Sequence, residues 1–439
     1  MARPIASHPL APDPRDPNRL LAGWAATRRP ARLAEHYERY GRLPLVLGAG
    51  RAERDSFIAA LTWSGLRGRG GAAFPTGHKL RAVADRHRRP IVVANGCESE
   101  PASDKDHVLL EVAPHLVLDG AQLAAVAVGA DEVILCVHRG DQVLDSVLGA
   151  LESRGMGGPP VRITEVPGGY VASEESALVN FVNTGVARPT AKPPRPFERG
   201  VGKRPTLIDN VETLAQLALI ARFGPDWFRT CGTAKDPGTA LVTVSGAVRT
   251  SGVYEVPLGM PLGRILDEAG GAPVPVQAVL VGGYAGGWLP MPSATRLPLT
   301  SAALRSAGSA LGVGSLMVLP ADGCGLSDTE WILRYLADES ANQCGPCMFG
   351  LPAVADDFGE LVVGGRGAGG AAERLHRRLK IIAGRGACGH PDGAVRLATS
   401  ALRVFEHDLR AHVSGHPCRR AGYPRLPQLH EHTLRGNWR

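Results

Sequence analysis

Between Pro90 and Val166 short apolar runs alternate with helical stretches, and this alternation limits the possible folds more than any other feature. Pro90-Ile-Val-Val-Ala-Asn95, Glu132 to His138 and Val161 to Val166 read as strands. Residues 108–129 read as one apolar helix and Leu144 to Ser153 as another. Parallel strands need long crossovers, usually helical, so the pattern predicts an α/β fold with a mainly parallel, Rossmann-like sheet. Ligands of such sheets sit at the carboxyl ends of the strands. The loops at 65–77 and 95–106 fall there. Upstream, residues 19–63 read as helices with loops, with helical spacing in Arg54 to Trp63. A further helix is expected over Lys79 to Arg86.

The pattern changes twice downstream. Residues 167–213 read mostly as loop, with a helix over Val211 to Arg222. Four short strands follow, at Leu241-Val-Thr-Val-Ser, Gly252-Val-Tyr-Glu-Val, Ala278-Val-Leu-Val and Leu316-Met-Val-Leu, with one helix near Leu262 to Glu268. That is a small α+β module. From Thr329 the chain reads as helical, with Gly364 to Gly370 separating two helices. A Pro/Arg-rich tail follows Ser414. The expected division is an N-terminal extension at 1–50, an α/β ligand-binding domain at 51–235 and the α+β module at 236–320. A helical domain at 321–415 and a tail at 416–439 complete it.

Composition narrows the function classes. The 439 residues are 44% hydrophobic and 21% charged, ordinary for globular protein. No apolar run reaches the roughly 18 residues of a membrane span. The polar, Pro-rich stretch Met1 to Asp16 lacks the apolar core of a secretion signal, so the expectation is a cytoplasmic protein with a frayed tail. The net charge of +7 comes mostly from Arg. No basic helix with interleaved aromatics accompanies it, which argues against nucleic acid as a partner. Of 49 basic residues only Lys79, Lys105, Lys192, Lys203, Lys235 and Lys380 are lysines. Ammonium and guanidinium are not interchangeable, and four of these six fall in Gly/Pro-rich motif stretches.

Four such stretches carry chemistry. Gly65-Leu-Arg-Gly-Arg-Gly-Gly-Ala-Ala-Phe-Pro-Thr-Gly77, followed by Lys79, is a glycine-rich loop whose amides can approach a phosphate or flat ring. It is neither a Walker A loop nor a dinucleotide fingerprint, and a plain turn is the competing reading. Asn95-Gly-Cys-Glu-Ser-Glu-Pro101 places carboxylates after an apolar strand, where they accept bonds from ribose-type hydroxyls or cap a solvated turn. Gly168-Gly-Tyr-Val-Ala-Ser-Glu-Glu-Ser176 pairs Glu174 and Glu175 with Tyr170; the pair equally suits a helix N-terminus. Cys344-Gly-Pro-Cys347 with Cys388 has the spacing of an iron–sulfur site, with zinc as the alternative. Three cysteines are one short of either full set.

Taken together and in order, these stretches resemble the flavoprotein subunit of respiratory complex I and its relatives in NAD-linked hydrogenases and formate dehydrogenases. The resemblance runs from about Ser64 to Leu397. It includes Lys192-Pro-Pro194 and Gly202-Lys-Arg-Pro-Thr-Leu-Ile-Asp-Asn-Val-Glu-Thr213. It implies an FMN domain, a β-grasp soluble-ligand-binding insert at 240–320 and a helical cluster domain. It implies FMN, NADH or NADPH as substrate, and an iron–sulfur cluster of four or three irons. Gly68, Arg69, Gly70, Gly71, Phe74, Lys79, Asn95, Glu98, Asn210, Thr213 and Arg195 become candidate cofactor contacts. Glu175, Glu174 and Tyr170 become candidate catalytic residues, and Cys344, Cys347 and Cys388 candidate metal ligands. The implied activity is hydride transfer from NAD(P)H to flavin, with single electrons passed to a ferredoxin-like or other carrier subunit, in attachment to a larger redox complex.

The sequence departs from the family at several points. Ala73 stands where Gly is usual, Cys97 replaces an Asp, Ser173 a Gly and Asp209 an Asn. Ala341 stands where the first of the family's C-x-x-C-x-x-C ligands is expected, leaving Asn342, His390 and Cys324 as candidates for the missing ligand. The family grips adenine between phenylalanines. Phe74 remains, but Ala82 and Arg195 occupy two such positions, and Arg195 offers cation–π stacking or a contact to a 2′-phosphate. Two other readings therefore stand beside the diaphorase: an electron relay that has lost nicotinamide binding, and a structural zinc protein.

Overall fold

Strands whose residues are buried on both faces must be covered on both sides, and that requirement builds the first sheet. The computed structural model describes residues 13, 16–21, 27, 29–43, 50–155, 157–427 and 438. Strands β1 (Ile91–Asn95), β2 (Val133–His138), β3 (Val161–Val166) and β4 (Thr206–Asn210) form a sheet in the order β3-β2-β1-β4. All its pairings are parallel, with Val93 opposite Ile134 on one side and Ile208 on the other. The edge strand β3 is largely part-exposed, as an edge should be. Helices α1 (Leu33–Tyr40), α2 (Arg51–Ser64), α3 (Thr76–Ala84), α4 (Lys105–Val112), α5 (Pro114–Val128) and α6 (Val143–Arg154) precede or connect these strands. So does α7 (Glu175–Thr184), while α8 (Val211–Phe223) and the short α9 (Pro225–Arg229) follow β4.

One expectation needs correction here and another completion. The apolar stretch 108–129 is not one helix: α4 and α5 meet at Ala113–Pro114 with a bend of 98°. Proline has no N–H to continue α4, while its fixed φ suits the first position of α5. Segment 167–213 is mostly loop, as expected, but holds two elements that the expectation left out, α7 and β4. Thr206-Leu-Ile-Asp-Asn has only two strongly apolar residues, too weak a local signal; tertiary pairing with β1 makes it a strand. Helices α5 and α8 pack at backbone distance, since a Cβ on Gly120 would fall 1.8 Å from the Leu214 carbonyl oxygen. Among the described residues no single helix is long and apolar enough to cross a membrane. The bent pair α4–α5 is core of this domain, with nearly all its residues buried.

The second sheet comprises β5 (Thr239–Gly246), β6 (Gly252–Pro257), β7 (Val276–Val281), β8 (Gly287–Pro290) and β9 (Ser315–Pro320), in the order β6-β5-β9-β7-β8. Only the β5–β9 pairing is parallel. Helix α10 (Leu262–Glu268) covers it, burying Ile265 against Val244 and Val279, and the short α11 (Ser301–Ser306) precedes β9. Strand β8 is just Gly-Trp-Leu-Pro, too short to read from alternation. Its Trp288 is fully buried, donates to Thr329 Oγ1 at 2.9 Å and meets the Phe405 ring edge-on at 5.1 Å. One side chain thus seats this module on the helical region.

That region contains α12 (Gly325–Asp338), a π-turn at Pro346–Gly350, α13 (Leu351–Val363), α14 (Ala368–Ile382), α15 (His390–Val404) and α16 (Glu406–Val413). Leu336, Phe358, Leu375 and Leu397 share its core. Helices α13 and α14 form a hairpin across Gly364–Gly367, as the glycine run led one to expect. The α/β region and the second-sheet module meet at Glu100. Its carboxylate accepts from Tyr284 N–H at 3.0 Å, the Tyr170 hydroxyl at 2.8 Å and Ala102 N–H at 3.3 Å. The expected frayed tail lies outside the described residues except for Asp13 and Asp16; of the C-terminal tail, 428–437 and 439 also lie outside them.

Candidate functional site

The carboxyl ends of β1 and β4 open into a cavity of about 420 Å³. Asn95, Asp209 and Asn210 line its floor. Gly68, Gly70 and Phe74 come from the glycine-rich loop, and Lys79 from α3. Glu174 and Glu175 come from the start of α7, and Lys192, Arg195 and Phe197 from the segment after it.

The glycine-rich loop is a narrow turn. Gly68 N–H donates to the Phe74 carbonyl and Thr76 N–H to the Leu66 carbonyl, both at 2.9 Å. A Cβ on Gly70 would lie 3.3 Å from Asn210 Cβ, so bare backbone is what keeps the loop against β4. Ala73 has φ +50°, the left-handed conformation that a glycine adopts more easily. Three expected contact residues face elsewhere. The Arg69 side chain is buried and donates to the Thr239 carbonyl at 2.8 Å, with Nε 3.7 Å from Glu212. Its backbone N–H donates to Thr213 Oγ1 at 2.9 Å. Gly71 pairs with Gly312 of the second sheet's module. Arg69, Gly71 and Thr213 therefore hold the loop from behind and do not line the cavity.

The paired carboxylates do face it. The turn enters a helix: Glu174 caps α7, accepting from Ser176 N–H at 2.9 Å and Ala177 N–H at 3.3 Å. Lys192 Nζ lies 2.6 Å from Glu174 and 2.8 Å from Glu175. Burial works against the Lys192 charge, but these two carboxylates hold its pKa above the ordinary lysine range. Asn95 Nδ2 donates to the Ser173 carbonyl at 3.0 Å, tying the strand end to the same turn. Tyr170 is not at this wall. Its hydroxyl is committed to Glu100, and its ring packs against Tyr335 and His390 at the joint with the helical region.

Glu98 also lies off the cavity lining. It accepts from Asp106 N–H at 2.6 Å, and burial, with Asp106 beside it, pushes its pKa up to about 8. Lys105 is 2.6 Å from Asp106 and 3.0 Å from Glu212, and Asn210 Nδ2 donates to Asp106 at 2.6 Å. A neutral Glu98 leaves Lys105 and Arg69 facing Asp106 and Glu212, a balanced set of buried charges beneath the floor.

The cavity fits a flavin on two grounds: its volume lies in the usual range for cofactor sites, and its floor holds an unused polar atom. Asp209 Oδ2 is buried without a partner, while Oδ1 sits 3.3 Å from Lys79 Nζ. Burial raises the Asp209 pKa, against the lowering effect of Lys79.

The three expected metal ligands converge. Burial pushes the Cys347 thiol up to about 12, with Cys344 and Cys388 adding to the effect. Cys344 is lowered in spite of its burial, because the N–H groups of Ala387 and Cys347 point at its sulfur. Cys388 lies within electrostatic range of Glu174 and Lys192 of the cavity wall, and is not itself among the cavity's lining residues. The donor set fits a cluster held by three thiolates. Ala341 is buried and ligates nothing. His390 Nε2 is bonded to the Leu336 carbonyl at 2.7 Å, and Asn342 Oδ1 accepts from Ser340 at 3.1 Å. Cys324 belongs to a different group, with His412 and Cys418.

Sequence reasoning missed Asp209 as a wall residue, Lys192 as the partner of both carboxylates, and Phe197. The last restores aromatic surface opposite the exposed Phe74 and carries Arg86 over its ring at 5.0 Å. The rarity of lysine was the available signal for Lys192; nothing local marked Phe197.

Residues 61–219 match the Nuo51 FMN-binding domain, 241–288 the SLBB domain, and 329–412 the NADH-ubiquinone oxidoreductase-F iron-sulfur binding region. The chain is 32% identical over 382 residues to the F 2 subunit of NADH-quinone oxidoreductase of Rhizobium meliloti, covering 83% of this chain and 90% of that one. It is 30% identical over 372 residues to the HndC subunit of the NADP-reducing hydrogenase of Solidesulfovibrio fructosivorans, covering 81% and 75%. Among solved structures, NAD⁺-reducing NiFe-hydrogenase in the H2-reduced state superposes with a TM-score of 0.78 at 30% identity, over 91% of this chain and 67% of that one.

Proposed function

We propose an electron route through this chain from one premise: it belongs to the family of the NADH-quinone oxidoreductase F subunit, the FMN and iron–sulfur flavoprotein shared with NAD-linked hydrogenases. It is an FMN-dependent oxidoreductase that takes hydride from NADH and passes electrons through an iron–sulfur cluster to partner subunits. FMN supplies the two-electron to one-electron conversion, since a flavin accepts a hydride and can release its electrons singly.

The protein's own part is positioning and electrostatics. Gly68 and Gly70 would present bare backbone to the ring system, Lys79 and Asp209 would meet the flavin's polar groups, and Asn95 and Asn210 would shape the floor beneath it. Phe74 and Phe197 offer apolar walls to the nucleotide, with the exposed Arg195 cation at the rim. Glu175 faces the nicotinamide, whose ring becomes cationic as it gives up hydride, so a nearby carboxylate favours the oxidised form. Lys192 limits that effect by offsetting one of the two negative charges. Cys344, Cys347 and Cys388 hold the cluster.

The observation that carries this reading is the double position of the Glu174–Lys192 pair, on the cavity wall and within electrostatic range of Cys388. The receiving partner is a ferredoxin-like or other electron-carrier subunit of a larger redox complex. Anaerobic stopped-flow mixing with NADH, followed by freeze-quench electron paramagnetic resonance, tests the route. Flavin bleaching is expected first and a reduced-cluster signal next. Bleaching with no cluster reduction refutes the relay through these cysteines.

A further inference from the structure

Two cysteines and a histidine outside the electron route gather at the opposite end of α12. Cys324 caps that 14-residue helix and is fully buried. His412, also fully buried, lies in the last turn of α16, and Cys418 follows in the tail. Cys324 Sγ and His412 Nε2 are 4.0 Å apart. Among the described residues these three form the one group whose possible ligand atoms all lie within 4.8 Å of one another. The Cys344, Cys347 and Cys388 thiols stand wider apart, as a polynuclear cluster between them requires. The tighter spacing suits a single ion, with metal–sulfur bonds of about 2.3 Å and metal–nitrogen bonds of about 2.0 Å.

We propose that Cys324, His412 and Cys418 form a zinc site that clasps the start of α12, the end of α16 and the tail. Three independent features support it. First, the histidine is oriented as metal-ligating histidines are: Nδ1 faces the Leu361 and Val362 carbonyls at 3.0 and 3.1 Å, which fixes the proton there. Nε2 is left free of a proton and aimed between the thiols, where the Cys418 N–H now donates to it at 3.0 Å. Second, the Cys418 segment is docked. Gly422 N–H donates to Ser327 Oγ at 2.9 Å, Arg425 and Leu426 N–H donate to Asp328 Oδ1 at 2.8 Å, and Leu426 is buried. Third, the donor chemistry selects the ion. Two thiolates and an imidazole favour zinc over the hard cations calcium and magnesium. Part-exposed Cys418 leaves the fourth position to water. Binding displaces the two thiol protons to solvent, and nothing is oxidised or reduced.

The full-length holoprotein, purified anaerobically with equimolar Zn²⁺ supplied, tests this by elemental analysis together with iron and FMN content. About one zinc per chain is expected, with an X-ray absorption spectrum showing two sulfur neighbours. Cys418→Ser and His412→Gln should each lower zinc at least tenfold and leave iron and FMN unchanged. Cys344→Ser should do the reverse. Cys418→Ser lies in the part-exposed tail and is the variant least able to disturb the core. Absence of zinc from the wild type overturns the proposal. So does zinc retained in both Cys418→Ser and His412→Gln, or a Cys324–Cys418 disulfide in the anaerobic protein by mass spectrometry. Loss of iron alone counts against the electron route, so the two readings fail separately.

Discussion

Lys192 lies 2.6 Å from Glu174, the cap of α7, on the cavity wall, and both groups act electrostatically on Cys388. The same ammonium reaches Glu175 at 2.8 Å. Lys192→Met leaves two adjacent carboxylates without their cation. A hydrogen bond to a charged group contributes about 1.5–3 kcal/mol. FMN should stay bound while single-turnover reduction by NADH quickens by about tenfold, because the uncompensated carboxylates favour the cationic oxidised ring more strongly. Glu175→Gln should also retain FMN and change the reduction rate, by a smaller factor. Unchanged reduction in both variants removes this wall from the nicotinamide site.

Gly70 and Ala73 predict opposite outcomes in one loop. Gly70→Val adds a branched side chain whose Cβ is already 3.3 Å from Asn210 and whose methyls enter the cavity. FMN stoichiometry should fall to near zero. Ala73→Gly relieves a left-handed alanine, which costs about 1–2 kcal/mol, partly offset by the greater freedom of glycine when unfolded. Melting should rise by a few degrees with FMN retained. Full flavin content in Gly70→Val would falsify the placement of the loop.

Glu100 makes stability depend on pH. Burial raises its pKa from 4.5 to about 7, against the lowering effect of the Tyr284 N–H and the Tyr170 hydroxyl. A carboxyl that keeps its proton longer in the folded state stabilises the protein fully below the unfolded pKa. That contribution is lost as pH rises through the folded value. A shift of this size amounts to an order of 3 kcal/mol. Glu98 and Glu255, raised to about 8 and about 7, act with the same sign. Melting temperature should therefore fall between pH 5 and pH 8. Glu100→Gln should flatten the slope and gain relative to wild type above pH 7. An equal slope in both proteins shows that Glu100 is charged throughout.

How far the sequence was legible follows from where each signal resides. Val161–Val166 could be bounded from local residues alone, because its limits lie between turn-forming stretches. Strand β4 could not, since its identity comes from pairing with β1 and not from its own five residues. The break at Pro114 was written in the sequence and overridden by the apolar run around it. Residue order pointed to the glycine loop and the Glu174–Glu175 turn, which line one cavity, and to the cysteines of the proposed cluster site. It did not identify which atoms of the loop face inward. Arg69 sits between two lining glycines, yet its side chain serves Thr239 and Glu212 on the far side. Tyr170 likewise reads as part of the carboxylate turn, but a bond to Glu100 carries it to the joint between regions. Such directions depend on partners far away in the chain, which spacing cannot report.

The cluster site yields the last prediction. In the proposed cluster site Cys344, Cys347 and Cys388 would supply three thiolates, and Ala341, three residues before Cys344, supplies none. It is buried on the same connection between α12 and the π-turn that carries Cys344. An iron without a thiolate there depends on a weaker oxygen or nitrogen donor or is absent. Cluster potential and lability follow ligand identity and exposure. Ala341→Cys restores the C-x-x-C-x-x-C spacing and should raise iron per chain and slow its loss to a chelator several-fold. Ala341→Ser, with an oxygen in the same place, should gain less. Iron and sulfide analysis of anaerobically purified protein measures retention, and electron paramagnetic resonance distinguishes three-iron from four-iron clusters before and after the substitution. If Ala341→Cys holds no more iron than wild type and loses it as fast, position 341 does not face the cluster. A fourth iron would then have to take its ligand from elsewhere, with His390 next to be tested because its Nδ1 is buried without a partner.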